Sequence, residues 1–443
     1  MKNILIFGSG RSAWYTISYL AKKHGKSWNL TITDSSPEAL GKCREKFPKV
    51  NILLSDVLDQ TQREGLVAKN DIIISLLPAR FHDLLAMDCL HHKKHLLTPS
   101  YISAELNSMN EAVTKAGLIF LNELGLDPGI DHMSAMSIIA RLKSEGAEIE
   151  SFKSYCGGLI ASESDNNPWH YKISWNPYNI IRSGQDGGIC LLDGKNKFLP
   201  YNRLFSEAEL IVTKNSGNFD AYLNRNSFPY IHLYGLVGIK TFVRGTLRYH
   251  GFARLWQFLV NTGITNDKIA LEGLLKLSWK DFFASFMPDP EKDISYNFYK
   301  IINDYPTEEE IAAISWLGFN NTELLPINSG TPAQLLQILL EQKWKLSTED
   351  KDRVVMIHEF TYSKSGMRFQ LQSVLDITGE DEQQTAMART VGMPLALAAD
   401  LIAHGKIHAK GVLLPIIPEV YDPLLKGLKE SGIIFKETEV EIK

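Results

Sequence analysis

The chain has 443 residues, 44% of them hydrophobic and 22% charged, with a formal net charge of −4 at pH 7. This length is enough for two or three domains with a substantial core, and the composition is that of a soluble globular protein. The charge balance gives no reason to expect nucleic acid or an anionic membrane as partner. We find no uninterrupted apolar run long enough to cross a bilayer, and the short apolar run after Lys2 is not the pattern of a signal peptide.

The four cysteines are scattered, without C-x-x-C spacing. This usage argues against a zinc site or a disulfide scaffold and fits a reducing cytoplasm. The cluster of His91, His92 and His95 lies among lysines without an acid or cysteine, so we predict no metal there.

The first strand-like run, Ile4–Phe7, enters a glycine-rich turn with the spacing G-x-G-x-x-A. Gly8 permits the tight turn, Gly10 lets the backbone approach a pyrophosphate, and Ala13 lets helix and strand pack closely. A diphosphate would then lie on the free N–H groups at the helix N-terminus. The turn therefore predicts a dinucleotide-binding site.

Asp34 ends the next strand-like run, about two dozen residues after the turn, near the spacing expected of a carboxylate that accepts from the ribose hydroxyls. A carboxylate there would repel a 2′-phosphate, so we predict NAD rather than NADP. Further strand patterns lie at 50–54, 71–75, 95–98 and 118–122, with helix-compatible stretches that include 36–47 and 79–93. The alternation predicts an α/β fold with a Rossmann-type, doubly wound parallel sheet.

The sequence pattern changes beyond about residue 148. Strand patterns at 151–156, 209–212 and 240–247 indicate a mixed α/β domain, whereas amphipathic stretches at 253–263, 269–277 and 308–316, with no convincing strand between them, indicate a helical insert. Strand patterns at 352–361 and 367–375 flank a hairpin turn at 363–366, and helices near 383–404 and 418–430 precede a short strand at 432–435.

We therefore predict three parts of the chain. Residues 1–130 form a Rossmann dinucleotide-binding domain that is completed by about 385–443. Residues 131–251 and 346–384 form an α/β substrate-binding domain, and residues 252–345 form the helical insert.

The loop after the strand at 118–122 is a candidate site, because ligands of open α/β sheets bind outside the carboxyl ends of the strands. Asp127, which precedes Pro128, is the functional candidate in this loop. We predict that Asp131 caps the helix that starts near His132, and that His132 is a satisfied packing residue rather than a catalytic base.

A second candidate is Cys156, which is followed by two glycines and by the aromatic loop 167–177. Glycines after a strand allow close approach by a ligand, and the loop suits a pocket wall. An equally weighted alternative is a buried free cysteine beside a packing loop.

A third candidate is basic and comprises Arg225, Arg244 and Arg248. The planar guanidinium binds a carboxylate in a bidentate manner, which would suit an amino-acid substrate. The alternative is an exposed charge at the end of a strand.

Several motifs together resemble saccharopine dehydrogenase of the glutamate-forming type, also called saccharopine reductase. The motifs are GSGRSAW at 8–14, TPSYIS at 98–103, GLDPGIDHM at 125–133, YCGGL at 155–159, YKISWNP at 171–177 and RGTLRYHGF at 244–252. The resemblance covers essentially the whole chain. It implies a Rossmann domain, a mixed α/β substrate and dimerisation domain with a helical insert, a homodimer, and an amino-acid substrate. The implied reaction converts saccharopine, an oxidised nicotinamide and water into L-glutamate, 2-aminoadipate 6-semialdehyde and the reduced cofactor.

The resemblance also implies site residues. The cofactor contacts would be Gly8, Ser9, Gly10, Arg11, Ser12, Asp34, Asp56, Val57, Leu77, Pro99, Leu126 and Ser174. The substrate contacts would be Ser100, Tyr101, Asp127, Cys156, Arg225 and Thr246.

The chain departs from the fungal members at the cofactor site. Those members have G-F-V where this chain has Arg11-Ser12-Ala13, and a Cys-Arg pair for NADP where it has Asp34-Ser35. Members fused into bifunctional lysine-degrading enzymes have an acid there and use NAD. The resemblance therefore implies NAD and lysine breakdown, with NADP possible because Arg11 could reach a phosphate.

The group that removes the amine proton is not evident from the sequence. Asp127 and Cys156 are the candidates, and water or the substrate's own groups are alternatives. We hypothesise that Asp127 binds a substrate ammonium and is not the principal base. Rival functions are a related amine dehydrogenase acting on a carboxylated polyamine or on lysine, and a catalytically silent NAD-binding regulator.

Overall fold

The computed structural model describes residues 1–213 and 216–443. It divides into two compact units, the first comprising Met1–Glu148 and Gln383–Lys436 and the second Ile149–Glu382 and Glu437–Lys443.

The strands are β1 (Lys2–Phe7), β2 (Trp28–Asp34), β3 (Asn51–Leu54), β4 (Ile72–Ser75), β5 (His95–Leu97), β6 (Ile119–Leu121), β7 (Glu148–Ile160), β8 (Gly188–Leu192), β9 (Lys195–Leu199), β10 (Glu209–Thr213), β11 (Gly217–Leu223), β12 (Arg225–Asn226), β13 (Thr241–Tyr249), β14 (Leu271–Glu272), β15 (Ser329–Gly330), β16 (Asp352–Lys364), β17 (Met367–Thr378), β18 (Gly411–Leu413) and β19 (Phe435–Ile442). The helices are α1 (Trp14–Ala21), α2 (Pro37–Lys46), α3 (Gln60–Ala68), α4 (His82–His92), α5 (Ala104–Ser108), α6 (Asn110–Lys115), α7 (Ile130–Ser144), α8 (Pro177–Ile181), α9 (Tyr201–Leu204), α10 (Phe228–Leu233), α11 (Phe252–Thr262), α12 (Trp279–Ala284), α13 (Ile294–Ile302), α14 (Glu308–Ile314), α15 (Pro332–Lys343), α16 (Ala386–Ala403) and α17 (Pro418–Glu430).

The first unit is built on a seven-stranded sheet with the order β18-β6-β5-β4-β1-β2-β3. All of its strand pairs are parallel. Six of the strands follow the Rossmann order, and β18 extends the sheet at the β6 edge. The predicted doubly wound parallel sheet is confirmed. The chain reverses its direction of winding between β1 and β4, which is where such sheets bind ligands.

The C-terminal segment returns to the first unit. Helix α16 packs on α1, and Thr16 Oγ1 donates to the carbonyl of Gly392 at 2.9 Å. The first unit continues to Glu148, beyond the boundary predicted at residue 130, because α7 packs against α17. Residues 437–443 belong to the second unit instead of the first.

Helix α16 is long and apolar enough to cross a membrane, judged by length and composition alone, and 67% of it is buried in the structure. Burial against α1 accounts for this composition, because a helix in the interior of a domain has few faces left for polar residues.

The second unit has a mixed sheet whose main path is β10-β11-β13-β7-β16-β17-β19. Strands β7 and β13 are parallel, whereas β11 pairs with β13 in antiparallel register. The hairpin predicted at 363–366 joins β16 to β17. Its two turn residues, Ser365 and Gly366, have φ of 54° and 80°, the positive values that a two-residue hairpin of this kind requires.

The stretch predicted as a helical insert contains α11 to α15 and belongs to the second unit. Its core is aromatic and includes the buried side chains of Trp169, Trp256 and Trp344. The helix predicted at 269–277 is wrong: this stretch holds β14, which pairs with β15, and a 3-10 turn at Leu274–Lys276. Gly273, with φ of 72°, breaks any helix there.

The strand predicted at 432–435 is also misplaced. Gly432 has φ of 80° and turns the chain, and β19 runs from Phe435 to Ile442 at the edge of the second sheet. The charged residues of this strand are exposed, as is common for an edge strand.

Candidate functional site

The glycine turn lies between β1 and the first helical turn, as the sequence predicts. Gly8 has φ of 99°, and a Cβ added to it would meet the carbonyl oxygen of Leu76 at 2.9 Å. A Cβ added to Gly10 would meet no atom within 4 Å. The first glycine is therefore required by the fold, whereas the second leaves backbone open to a ligand. Ser9 lies between them, and Arg11, Ser12 and Ala13 form the 3-10 turn that leads into α1.

Asp34 at the end of β2 ties the glycine turn to the sheet. One carboxylate oxygen accepts from the backbone N–H of Ser9 at 2.6 Å and from its hydroxyl at 2.9 Å, and the other accepts from the N–H of Ser36 at 2.8 Å. A carboxylate offers about four acceptor positions, so ribose hydroxyls could bind the same group. The glycine turn and the carboxylate of Asp34 are therefore arranged as the binding of a dinucleotide requires.

The remaining predicted cofactor residues of the first unit follow successive strands at the same edge of the sheet. Asp56 and Val57 follow β3, Leu77 follows β4, Pro99 follows β5 and Leu126 follows β6. Parallel strands bring these positions together at their carboxyl ends. Ser174 belongs to the second unit, where it is buried.

The loops after β5 and β6 bring together three predicted substrate residues. Ser100 and Tyr101 follow β5, and the Tyr101 hydroxyl donates to Oδ1 of Asp127 at 3.0 Å. All three side chains are half-buried, so a ligand could contact them.

The start of α7 differs from the prediction. The helix begins at Ile130 with Gly129 as its N-cap, and Asp131 lies in the first turn. Asp131 is therefore not the N-cap residue, although Oδ1 of its carboxylate accepts from the N–H of Gly129 at 2.6 Å. His132 is fully buried, and its Nε2 lies 2.8 Å from Oε2 of Glu123. This is the packing histidine that the sequence predicts, held by an acidic neighbour.

The sequence analysis missed His82 at the first residue of α4. Its Nδ1 is hydrogen-bonded to Ser75 Oγ and its Nε2 to Ser100 Oγ, both at 2.8 Å. Burial lowers the pKa of His82 to about 4. The available signal was a histidine seven residues beyond the carboxyl end of a Rossmann strand, where the next helix begins.

In the second unit, Cys156, Thr246 and Tyr222 form a row across three strands. Thr246 on β13 is in register with Cys156 on β7 and with Tyr222 on β11. Residues in register share a face of the sheet. Cys156 is buried and forms no disulfide among the described residues. A Cβ on Gly157 would lie 2.5 Å from the carbonyl oxygen of Leu247, so this glycine lets two strands approach and does not open space for a ligand.

Arg248 lies two residues beyond Thr246, on the same face of β13, and is 3% exposed. Its guanidinium lies 5.0 Å from the ring of Tyr171 and donates to the carbonyl of Leu247 at 2.8 Å. Its Nε has no hydrogen-bond partner in residues 1–213 and 216–443. Burial alone would lower the pKa of Arg248, but Tyr222, Tyr171 and Cys156 raise it above its ordinary value. The cation therefore lies beside two phenols and a thiol, and its in-register neighbour Asp220 on β11 forms no ion pair with it among the described residues. A ligand carboxylate could bind the free Nε.

The other basic candidates differ from Arg248. Arg225 is exposed and has φ of 57°, whereas Arg244 is buried, with its guanidinium 4.2 Å from the ring of Tyr230.

In the aromatic loop 167–177, Trp169 and Tyr171 are each 1% exposed and belong to the core, which favours the packing interpretation of that loop. In the part of the chain that the structure describes, no group of three or more His, Cys, Asp and Glu residues is placed to hold a metal ion.

A Rossmann unit with this glycine turn and acid, joined to a second unit with a buried cation on its sheet, defines a nicotinamide-dependent oxidoreductase. Two family models match the chain: the saccharopine dehydrogenase NADP binding domain over residues 4–121 and the saccharopine dehydrogenase C-terminal domain over residues 125–433. The chain belongs to the saccharopine dehydrogenase family.

Individual relatives agree with this assignment. The chain is 33% identical over 450 residues to the saccharopine dehydrogenase [NADP(+), L-glutamate-forming] of Pyricularia oryzae, with 98% of each chain covered. It is 32% identical to the mitochondrial alpha-aminoadipic semialdehyde synthase of Rattus norvegicus, covering 98% of this chain and 47% of that protein. The chain thus spans about half the length of this mammalian relative. The structure of apo saccharopine dehydrogenase (L-Glu forming) from Saccharomyces cerevisiae superposes with a TM-score of 0.89 at 30% identity, covering 99% of this chain and 100% of the other.

Proposed function

We propose that the protein oxidises the secondary amine of saccharopine, with a nicotinamide cofactor, to give L-glutamate and 2-aminoadipate 6-semialdehyde. The observation that carries the proposal is Arg248, a buried cation whose Nε has no hydrogen-bond partner among the described residues, on the sheet face that also presents Cys156 and Thr246. Saccharopine bears three carboxylates, and a buried guanidinium binds a carboxylate strongly because little water competes for either group.

The bound nicotinamide ring supplies the chemistry of hydride acceptance. The residues of the chain bind and orient the substrate. Within the first unit, Asp127, already a hydrogen-bond acceptor from Tyr101, binds a substrate ammonium. When the amine carbon loses a hydride and the nitrogen loses its proton, an imine remains. Water adds to the imine carbon, and cleavage of the carbon–nitrogen bond releases the aldehyde and the amino group of glutamate. Half-buried Asp127 and buried Cys156 remain the candidates for the proton transfers.

We further propose that NAD is preferred over NADP. Asp34 accepts from Ser9 and Ser36 and leaves a negative charge at the end of β2, where a 2′-phosphate would be repelled. The matching N-terminal family model is that of an NADP-binding domain, and the fungal relatives are named for NADP(+). The effect of Asp34 on the choice between NAD and NADP must therefore be tested by comparing turnover with the two cofactors.

The test follows the absorbance of the reduced nicotinamide after saccharopine is added with NAD or with NADP. We expect turnover with saccharopine, faster with NAD, and release of glutamate in equal amount. Turnover of lysine or of a carboxylated polyamine in place of saccharopine would favour a related amine dehydrogenase. Cofactor binding without turnover of any of these would favour a regulator and overturn the proposal.

The homodimer that the resemblance implies stays a prediction, and so does the cytoplasmic location. Sedimentation of the purified protein and fractionation of the cells that produce it would test them.

A further inference from the structure

The hydroxyl of Ser100 is held by a side chain from another element of the first unit. His82, at the start of α4, is 3% exposed, and its Nε2 lies 2.8 Å from Ser100 Oγ. Its other nitrogen lies 2.8 Å from Oγ of Ser75, the last residue of β4. The imidazole therefore links the end of a central strand to a half-buried serine on the ligand side of the sheet.

The backbone around Ser100 is fixed separately. The carbonyl of Ser100 accepts from the N–H of Glu123 at 3.2 Å, and the N–H of Ile102 donates to Oε1 of Glu123 at 3.1 Å. The hydroxyl of Ser103 donates to Oδ1 of Asp83, at 2.6 Å. With the loop held in this way, the rotation of the Ser100 side chain decides where its hydroxyl points. The hydrogen bond to His82 selects one of those rotations.

We propose that His82 is a positioning residue that acts through Ser100, orienting the serine hydroxyl toward the substrate. The inference rests on the proposed function, because it assigns a role in saccharopine turnover. A hydroxyl has one donor and two acceptor positions, so Ser100 can bond to His82 and still offer a hydrogen bond to a ligand. A side chain held by a second hydrogen bond loses little freedom when the ligand binds, which favours binding and correct orientation.

The imidazole is suited to this role because it stays neutral. Burial lowers the pKa of His82 to about 4, so near neutral pH one ring nitrogen donates and the other accepts. With Ser75 Oγ on one nitrogen and Ser100 Oγ on the other, both ring nitrogens are hydrogen-bonded, which fixes the orientation of the ring.

Two amide substitutions separate the two hydrogen bonds of His82. The amide nitrogen of asparagine lies near the position of Nδ1, and that of glutamine lies near Nε2. His82→Asn therefore keeps the bond to Ser75 and loses the bond to Ser100, whereas His82→Gln does the reverse. We measure kcat/KM for saccharopine in these variants, in Ser100→Ala and in the double variant His82→Asn/Ser100→Ala.

We expect His82→Asn and Ser100→Ala each to lower kcat/KM by about tenfold, the size of one hydrogen bond. The double variant should be no worse than Ser100→Ala, and His82→Gln should stay within about threefold of the unaltered protein. The KM for the cofactor and the melting temperature should change little. The matched control is His95→Asn, because His95 also has a pKa that burial lowers to about 4 but is bonded to the N–H of Ile119.

Two results would overturn the inference while the unaltered protein turns saccharopine over. One is additive losses in the double variant, about a hundredfold in total. The other is equal impairment of His82→Gln and His82→Asn. If the unaltered protein does not turn over saccharopine, the proposed function itself fails and the inference falls with it, a result visible before any variant is compared.

Discussion

The hydroxyl of Tyr101 donates to Oδ1 of Asp127 at 3.0 Å and joins the loops after β5 and β6. Both side chains are half-buried, at the carboxyl edge of the parallel sheet. A phenol that donates to a carboxylate fixes the orientation of that group. This pair therefore presents an oriented acceptor, which suits the binding of an ammonium group.

Asp127→Asn tests whether this charge binds the substrate. We expect the KM for saccharopine to rise by about tenfold or more, because a charge-assisted hydrogen bond is lost, while the pH profile of kcat/KM keeps both limbs. Tyr101→Phe should have a smaller effect in the same direction. Steady-state kinetics across a pH series checks both. Disappearance of the basic limb in Asp127→Asn, with KM unchanged, would instead make Asp127 the general base.

Arg248→Met should separate binding from stability. We expect the KM for saccharopine to rise by about two orders of magnitude, because the carboxylate loses a buried cationic partner. Stability should be unchanged or higher, because a buried cation that forms no ion pair among the described residues and has an unpartnered Nε costs free energy in the absence of substrate.

Saccharopine kinetics and thermal unfolding without ligand measure the two effects of Arg248→Met. The control is Arg254→Met, because the guanidinium of Arg254 is held by Glu310 and Asp304, each at 2.7 Å. This control should leave the KM for saccharopine unchanged. A large drop in the melting temperature of Arg248→Met, with KM unaltered, would show that Arg248 serves the fold.

Asp34→Ser should change the cofactor preference. Removal of the carboxylate abolishes the repulsion of a 2′-phosphate and the acceptor for the ribose hydroxyls, so the KM for NADP should fall and that for NAD should rise. We expect the ratio of kcat/KM for the two cofactors to shift by at least about tenfold. Ser36→Ala, which leaves the carboxylate in place, is the control. An unchanged ratio would mean that Asp34 serves mainly to hold Ser9 and the glycine turn.

The parts of this molecule that short-range patterns govern could be predicted from the sequence. The glycine turn, Asp34 and the parallel strands depend on neighbouring residues and on alternation along the chain. The hairpin at 363–366 follows from the turn chemistry of Ser365 and Gly366. The loop holding Asp127 could be placed because Rossmann sheets bind ligands at one edge.

Other features depend on tertiary contacts that one sequence does not reveal. Arg248 is distinguished by its burial and by an Nε that has no hydrogen-bond partner in the described structure, and neither property can be read from RGTLRY. The role proposed for His82 depends on its hydrogen bonds to Ser75 and Ser100, and these form only because the fold brings the three residues together. Gly157 could be predicted as a close approach, but the approaching group is the backbone at Leu247 and not a ligand.

The contact between α1 and α16 gives a test of how the C-terminal segment completes the first unit. A Cβ on Gly392 would lie 2.9 Å from the backbone nitrogen of Thr16 and 3.0 Å from its Oγ1. We expect Gly392→Ala to destabilise the protein by about 1–3 kcal/mol, because the helices must separate. The control is Gly41→Ala in α2, where a Cβ would meet nothing within 4 Å and alanine should stabilise by about 0.5–1 kcal/mol. Denaturant unfolding of both variants measures the difference, and equal effects would contradict the close contact.

Acid should destabilise the first unit through His82 and His95. Burial lowers the pKa of each from the ordinary 6.5 to about 4. Between these values the unfolded chain binds protons that the folded protein does not, so stability rises with pH across this window and is lost on acidification. Each histidine contributes a slope of at most about 1.4 kcal/mol per pH unit. We expect His95→Gln, which cannot take up this proton, to flatten the dependence of unfolding free energy on pH between about 6.5 and about 4. The control is His232→Gln, since His232 is exposed. A slope unchanged by His95→Gln would mean that His95 is protonated as readily in the folded protein as in the unfolded chain.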